Sequence, residues 1–187
     1  MITYTTARRE SDLQGILELQ ARNLVTNLSA EDILGEGFVT VRHSLDDLQK
    51  MNAIEQHVIA RDNDIVIAYL LAMTSASRND IPVLVPMFEI FESIQYDGQP
   101  LAAFNFIVVG QVCVDKAYRG QGVFDTCYQF YRTAFQKKYQ FAVTEIVASN
   151  HRSQRAHERV GFKTIHQYIA PDKEVWNIVL LDWRKDL

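Results

Sequence analysis

Val112-Cys113-Val114-Asp115-Lys116-Ala117-Tyr118-Arg119-Gly120-Gln121-Gly122-Val123-Phe124 is the stretch in which the chain passes from one period to another. Before it, Phe106 to Val114 is apolar enough for a strand buried on both faces. After it, Val123, Cys127, Phe130 and Ala134 recur as one helical stripe and Phe124, Tyr128, Tyr131 and Phe135 as a second, a wide apolar face that must lie on a sheet. A strand, a glycine turn and a helix in that order offer free backbone N–H groups and the positive end of a helix dipole to an anion, with phosphate the natural guest. Gly120 and Gly122 take away the side chains that would keep a ligand from the backbone, and Lys116 and Arg119 add charge at the edge. The same turn without a ligand is the alternative, because short glycine motifs are weak signals. A dinucleotide fingerprint needs a third Gly where Asp125 stands, and a Walker loop needs Gly-Lys-Ser/Thr, which occurs nowhere.

From Lys116 to Lys163 there are nine Lys and Arg against three Asp and Glu, a net +6, in a protein of net charge -4, so the remainder carries -10. A basic island on an acidic protein fits a local anionic ligand better than nucleic acid, whose footprint makes a whole domain basic. Solvated helix faces are the other reading. The 187 residues, 48% hydrophobic and 22% charged with two cysteines, suit one domain spanning 1–187. Such a chain buries about two thirds of its unfolded surface and needs neither disulfides nor a structural metal. Met1 to Asp12 is polar where a signal peptide is apolar, so a cytoplasmic protein is expected. The longest apolar run, Ile65 to Met73, is too short to cross a bilayer and reads as a buried strand.

Toward the N-terminus, Ile2 to Thr6 reads as a strand, and Ser11 is placed to cap a helix carrying Leu13, Ile16, Leu17 and Leu19. Beyond a loop at Gly35 and Gly37, Ser44 caps a second helix. His57 to Arg61 and Ile65 to Thr74 form a hairpin around Asp62, Asn63 and Asp64. Ser75 to Ala103, with Pro82, Pro86 and Pro100 and a helix-like run from Met87 to Ile94, reads as an insertion between the third and fourth strands. Toward the C-terminus come a strand at Ala142 to Ala148, a short helix at Ser153 to Val160 stopped by Gly161, and strands at Thr164 to Ile169 and Val175 to Trp183. The order predicts an α/β fold with a mixed sheet.

The stretch quoted first resembles the acyl-CoA motif of the GNAT superfamily of N-acyltransferases, Arg or Gln, two residues, Gly, one residue, Gly or Ala. Arg119 and Gly122 match, while Phe124 stands where the small residue is usual. A second match follows: Asn150, two residues, Ser153, three residues, His157, three residues, Gly161-Phe162. The resemblance covers Phe104 to Tyr168 and implies an α/β (α+β) fold. Its mixed, mostly antiparallel central sheet would have about seven strands, flanked by about four helices and splayed around the acyl-CoA site. It also implies acetyl-CoA as cosubstrate without a metal, direct acetyl transfer to the primary amine of a small molecule or peptide, and a homodimer as the one self-association to look for. Val112, Cys113 and Val114 would pair through backbone with the pantetheine arm. Amides of Arg119, Gly120, Gln121, Gly122, Val123 and Phe124 would hold the pyrophosphate. Asn150 and Ser153 would sit beside the pantetheine or thioester, their alternative role being to cap the helix they precede.

His157 stands where the family commonly has the Tyr that protonates the departing CoA thiolate. Imidazole can donate a proton, with a pH dependence across the physiological range that Tyr lacks; a helix-face His without a role is the alternative. An alkylamine of pKa about 10.4 must lose a proton before it attacks. Glu36, His43, Glu89 and Glu92 fall in loops that flank the acceptor groove of this fold, and none is singled out as the base. Cys113 reads as an inert buried thiol or as a nucleophile, Trp176 and Trp183 as packing, and Phe91 and Tyr96 as packing or acceptor contacts. The five His and two Cys show no metal spacing. The acidic remainder favours a cationic acceptor such as a polyamine. A non-catalytic acyl-CoA sensor and a plain interaction module are the rival functions.

Overall fold

A computed structural model describes residues 1–29, 38–78 and 85–186. Glu36, the glycines beside it and Pro82 lie outside the described residues. The elements are β1 (Ile2–Thr6), α1 (Glu10–Asn23), α2 (Leu45–Ile54), β2 (Val58–Asp62), β3 (Ile65–Met73), α3 (Val85–Ser93), β4 (Gln95–Tyr96), β5 (Gln99–Pro100), β6 (Phe106–Val114), α4 (Val123–Phe135), β7 (Phe141–Val147), α5 (His151–Arg159), β8 (Lys163–Ile169) and β9 (Val175–Asp182). Seven strands form one sheet in the order β1-β2-β3-β6-β7-β9-β8, antiparallel throughout except for β6 beside β7. The described residues hold five α-helices where about four were expected, because the helix-like run inside the insertion closes a full helix, α3.

α1 and α2 begin where the sequence supplies partners for the first N–H groups. Ser44 Oγ accepts from Asp47 N at 3.1 Å, and Asp47 returns the bond to Ser44 N at 2.8 Å, as expected. At α1 the expected Ser11 cap is displaced. Asp12, 1% exposed, accepts from the backbone of Arg8 and Arg9 and from the Arg61 guanidinium, so the helix starts earlier and Ser11 lies within its first turn.

The sheet separates two cores. On one face Leu13, Ile16 and Leu19 of α1, Leu48 and Met51 of α2 and Phe88 and Phe91 of α3 pack over Tyr69, Leu71 and Val108. On the other, Val123, Cys127, Tyr128, Tyr131 and Phe135 of α4 cover Ala60, Leu70, Ile107 and Ala142, which fulfils the double stripe of the sequence.

One irregularity positions the site. β6 pairs with β7 only from Phe106↔Phe141 to Val108↔Val143. Beyond that, β6 stays with β3 and β7 with β9, so the two parallel strands part. Val109 faces Ala72 and Val112 faces Leu70, so β6 holds one extra residue there, a bulge at Gly110 and Gln111. Gly110 leaves room for Met73: a Cβ on it would lie 1.7 Å from Met73 Sδ, so that side chain would have to move. The Thr144 hydroxyl donates to the Val109 carbonyl at 2.7 Å, closing the fork where the ladder ends.

Candidate active site

The fork between β6 and β7 opens into two adjoining cavities. The outer one, of about 500 Å³, is lined by Val112, Cys113 and Val114 along β6, by Arg119, Gly120, Gly122, Val123 and Phe124 at the turn, and by Asn150, Ser153 and Arg155. The inner one, of about 110 Å³, lies beneath it and takes in Gly110, Gln111, Thr144, Glu145, His43 and His157. Phe38, Val39, Val112, Asn150 and Ser153 line both. A strap at Phe38 to Val41 crosses between them. It is tied to α1 by Val39 N to Asn23 O (3.0 Å), to β6 by Gln111 Nε2 to Val41 O (2.8 Å), and to α5 by Asn150 Nδ2 to Phe38 O (3.3 Å).

At the turn, Gly120 and Gly122 have φ of +73° and +77°, a region L side chains rarely adopt, and a Cβ on either meets nothing within 4 Å. The left-handed backbone therefore faces open space. Among the described residues none accepts from the N–H groups of Gly120, Gln121, Gly122, Val123, Phe124 or Asp125. Six donors at the N-terminus of a thirteen-residue helix form an anion cradle. Arg119 builds it from behind: its Nε donates to the Val114 carbonyl (2.9 Å) and its guanidinium to Asn23 Oδ1 (2.7 Å), pinning the turn to β6 and α1. The Gln121 side chain is tied to Ala117 O at 2.8 Å. Phe124 departs from the family pattern without blocking the cradle, because its ring packs edge-on against His157, centroids 5.2 Å apart, and against Tyr128. Arg155 and Arg159 of the basic island stand at the rim.

Among the described residues β6 has no strand partner on its β7 side beyond Val108, so the edge at Val112 to Val114 is open to a strand-like ligand. Cys113 shows no nucleophilic character there, since burial pushes its thiol up to about 12. Asn150 caps α5 through Ser153 N to Oδ1 at 3.1 Å and lines both cavities.

His157 is brought to the inner cavity, but not as a proton donor. Its Nδ1 lies 2.8 Å from the Ser153 carbonyl, which can only accept, so Nδ1 carries the proton. Nε2 then accepts from the Tyr128 hydroxyl at 2.7 Å. The ring is 1% exposed, and burial pushes its pKa down to about 4. Both nitrogens are spent inside the protein, which corrects the expectation that His157 protonates the thiolate.

Of the four base candidates, Glu89 and Glu92 pair with Arg78 on the exposed side of α3 and line neither cavity, while His43 lines the inner one. The sequence reading missed Glu145. Its side chain lines the inner cavity and accepts from the Tyr168 hydroxyl at 2.7 Å. Burial raises its pKa, partly offset by that hydrogen bond. A lone carboxylate in the apolar strand Phe141–Val147 was the available signal. Trp176 lines the cavity and Trp183 is buried; Phe91 is core, and Tyr96 donates to Asp182 instead of facing an acceptor. The insertion contributes Met87 alone to the inner cavity among its described residues, its other apolar side chains going to the core. Among the described residues no group of three or more His, Cys, Asp or Glu is placed to hold a metal ion, and no helix is long and apolar enough to cross a membrane.

A sheet forked beside a glycine turn at a helix N-terminus defines a class, and the comparisons with known proteins agree: the model of the acetyltransferase (GNAT) family matches residues 29–162, and the chain belongs to that family of acyltransferase enzymes. No curated protein sequence matches it. Among solved structures it is similar to the ribosomal-protein-S18-alanine N-acetyltransferase from Escherichia coli, with 13% identity over 97% of this chain and 94% of that one and a TM-score of 0.64. It is also similar to Arabidopsis thaliana NAA60 in complex with acetyl-CoA, with 14% identity over 97% and 99% and a TM-score of 0.64. A spermidine N-acetyltransferase chimera from Vibrio cholerae and hSSAT superimposes with 12% identity over 98% and 96% and a TM-score of 0.60.

Proposed function

We propose that the protein is a cytoplasmic N-acetyltransferase that moves an acetyl group from acetyl-CoA directly to a primary amine of a small molecule or peptide. The observation that carries this is the continuity of the fork: an anion cradle, an open strand edge and a partly buried carboxylate follow one another along a single path. The pyrophosphate lies on the amides from Gly120 to Phe124, and Val112 to Val114 pair with the pantetheine arm as an added strand. The thioester then reaches the bulge at Gly110, with Asn150 and Ser153 beside it.

Glu145 is the base. An amine of pKa about 10.4 loses its proton more readily to a carboxylate whose pKa is raised by burial than to an exposed one. The neutral amine attacks the thioester carbonyl, forming the C–N bond; the C–S bond of the tetrahedral intermediate then breaks, the departing thiolate takes the second proton of the nitrogen, and Glu145 gives its own proton to solvent. A thiol of pKa about 8.5 leaves as thiolate without an obligatory acid, which fits a His157 occupied elsewhere. The missing Tyr and the lack of an evident base were the motives for a non-catalytic acyl-CoA sensor, and Glu145 answers the second. Thiol release from acetyl-CoA with a panel of amines tests the reading. Glu145→Gln should lower kcat by about 100-fold or more while CoA still binds. Binding of CoA without turnover of any amine would favour the sensor.

A further inference from the structure

The polar network behind the inner cavity has one loose end. Gln111 Nε2 donates to the Val41 carbonyl, so Gln111 Oε1 must be the atom that accepts from the Tyr69 hydroxyl (2.6 Å) and from Gln20 Nε2 (2.9 Å). Gln20 Oε1 accepts from the backbone N–H of His43 at 2.9 Å, which fixes the Gln20 amide from its other end. The remaining N–H of Gln20 faces His43 Nδ1 at 3.1 Å, so Nδ1 is the lone-pair nitrogen. Burial holds the imidazole neutral, with a pKa pushed down to about 4 despite Asp47 nearby. A neutral ring that accepts at Nδ1 bears its proton on Nε2. That Nε2 is buried and has no hydrogen-bond partner among the described residues, on a residue 4% exposed that lines the inner cavity.

We propose that His43 Nε2–H selects the acceptor: the amine that enters carries a hydrogen-bond-accepting oxygen close to its nitrogen, as an amino-acid amide or the N-terminal residue of a peptide does. The proposal rests on the acetyltransferase reading and names its acceptor class. Buried N–H groups without partners are rare, and a site built around one rejects an analogue that leaves it unpaired. Charge points the same way. Among the described residues lining the inner cavity Glu145 is the only carboxylate, and it serves the reacting nitrogen, so a polyamine's second ammonium finds no counter-ion among them. An α-amine at Glu145 with its own carbonyl turned to His43 uses both groups.

Alaninamide and its hydrocarbon isostere, in which the amide oxygen and nitrogen are replaced by methyl groups, test this with rates referred to the unprotonated amine. The wild type should prefer alaninamide by about 10- to 100-fold in kcat/KM. His43→Phe should bring the ratio to about threefold or less, and His43→Gln, which keeps an N–H, should recover part of it. No preference in the wild type, or the same preference in His43→Phe, overturns the assignment while leaving the acetyltransferase reading intact. Failure of the wild type to turn over either amine or any other overturns both. Should His43→Phe not fold, nitrogen NMR of histidine-labelled wild type decides. The Nε2–H tautomer at neutral pH, its proton shifting when alaninamide is added with CoA, is expected; an Nδ1–H tautomer or an imidazolium refutes the proposal.

Discussion

Replacing Tyr168 by Phe removes one hydroxyl and keeps the ring that packs against the sheet. That hydroxyl donates to Glu145 Oε2 at 2.7 Å and stabilises the carboxylate against the burial that raises its pKa. A hydrogen bond to a charged group contributes about 1.5–3 kcal/mol. One pKa unit corresponds to about 1.36 kcal/mol, and because Tyr168 is only partly buried the lower end applies, giving a shift of about one unit. The hydroxyl favours the charged form, so without it the carboxylate binds its proton more tightly and the pKa rises further. Glu145 acts as a base only when ionised, so the acidic limb of kcat/KM should move about one unit to higher pH, with the plateau above it retained because a stronger base is left behind. Thiol release from acetyl-CoA, followed from about pH 5 to pH 9 at fixed amine, reads the shift; the amine's own titration is common to both proteins and cancels. In Glu145→Gln the acidic limb should vanish with the activity. A limb that stays in place in Tyr168→Phe, or moves to lower pH, would refute Glu145 as the base.

Two further outcomes follow from the cradle and the buried imidazole. Gly122→Val should fold, since its Cβ meets nothing within 4 Å, at a cost of about 1 kcal/mol for the left-handed backbone, and should lose CoA binding measured by calorimetry; undiminished affinity would misplace the pyrophosphate. His157→Phe leaves the Tyr128 hydroxyl without its acceptor, so it should destabilise by about 1–3 kcal/mol, seen as a Tm lowered by several degrees, with kcat at saturating acetyl-CoA changed only a few fold. A drop in kcat of about 10-fold or more at unchanged stability would return the proton donor to His157.

What the amino-acid order determined by itself was local. Glycines at positive φ just before a helix, a double apolar stripe after them, Ser44 with Asp47 at a helix start and Gly161 at a helix end act over a few residues, so their spacing is their meaning. The β-α order and the cradle were legible for that reason. The chemistry was decided by contacts between distant residues. Glu145 acquires its perturbed carboxylate from burial in the fork and from Tyr168, which β8 brings beside it only through β9. The tautomer of His43 depends on a chain of bonds through Gln20 to Gln111, 91 positions further on. His157 occupies the position its motif predicts, yet Tyr128, reached across the packing of α4 on α5, takes the nitrogen that the motif would assign to the substrate. Proton affinity depends on desolvation and on the groups within hydrogen-bonding distance, and in this protein the sheet, with its one-residue bulge, sets both.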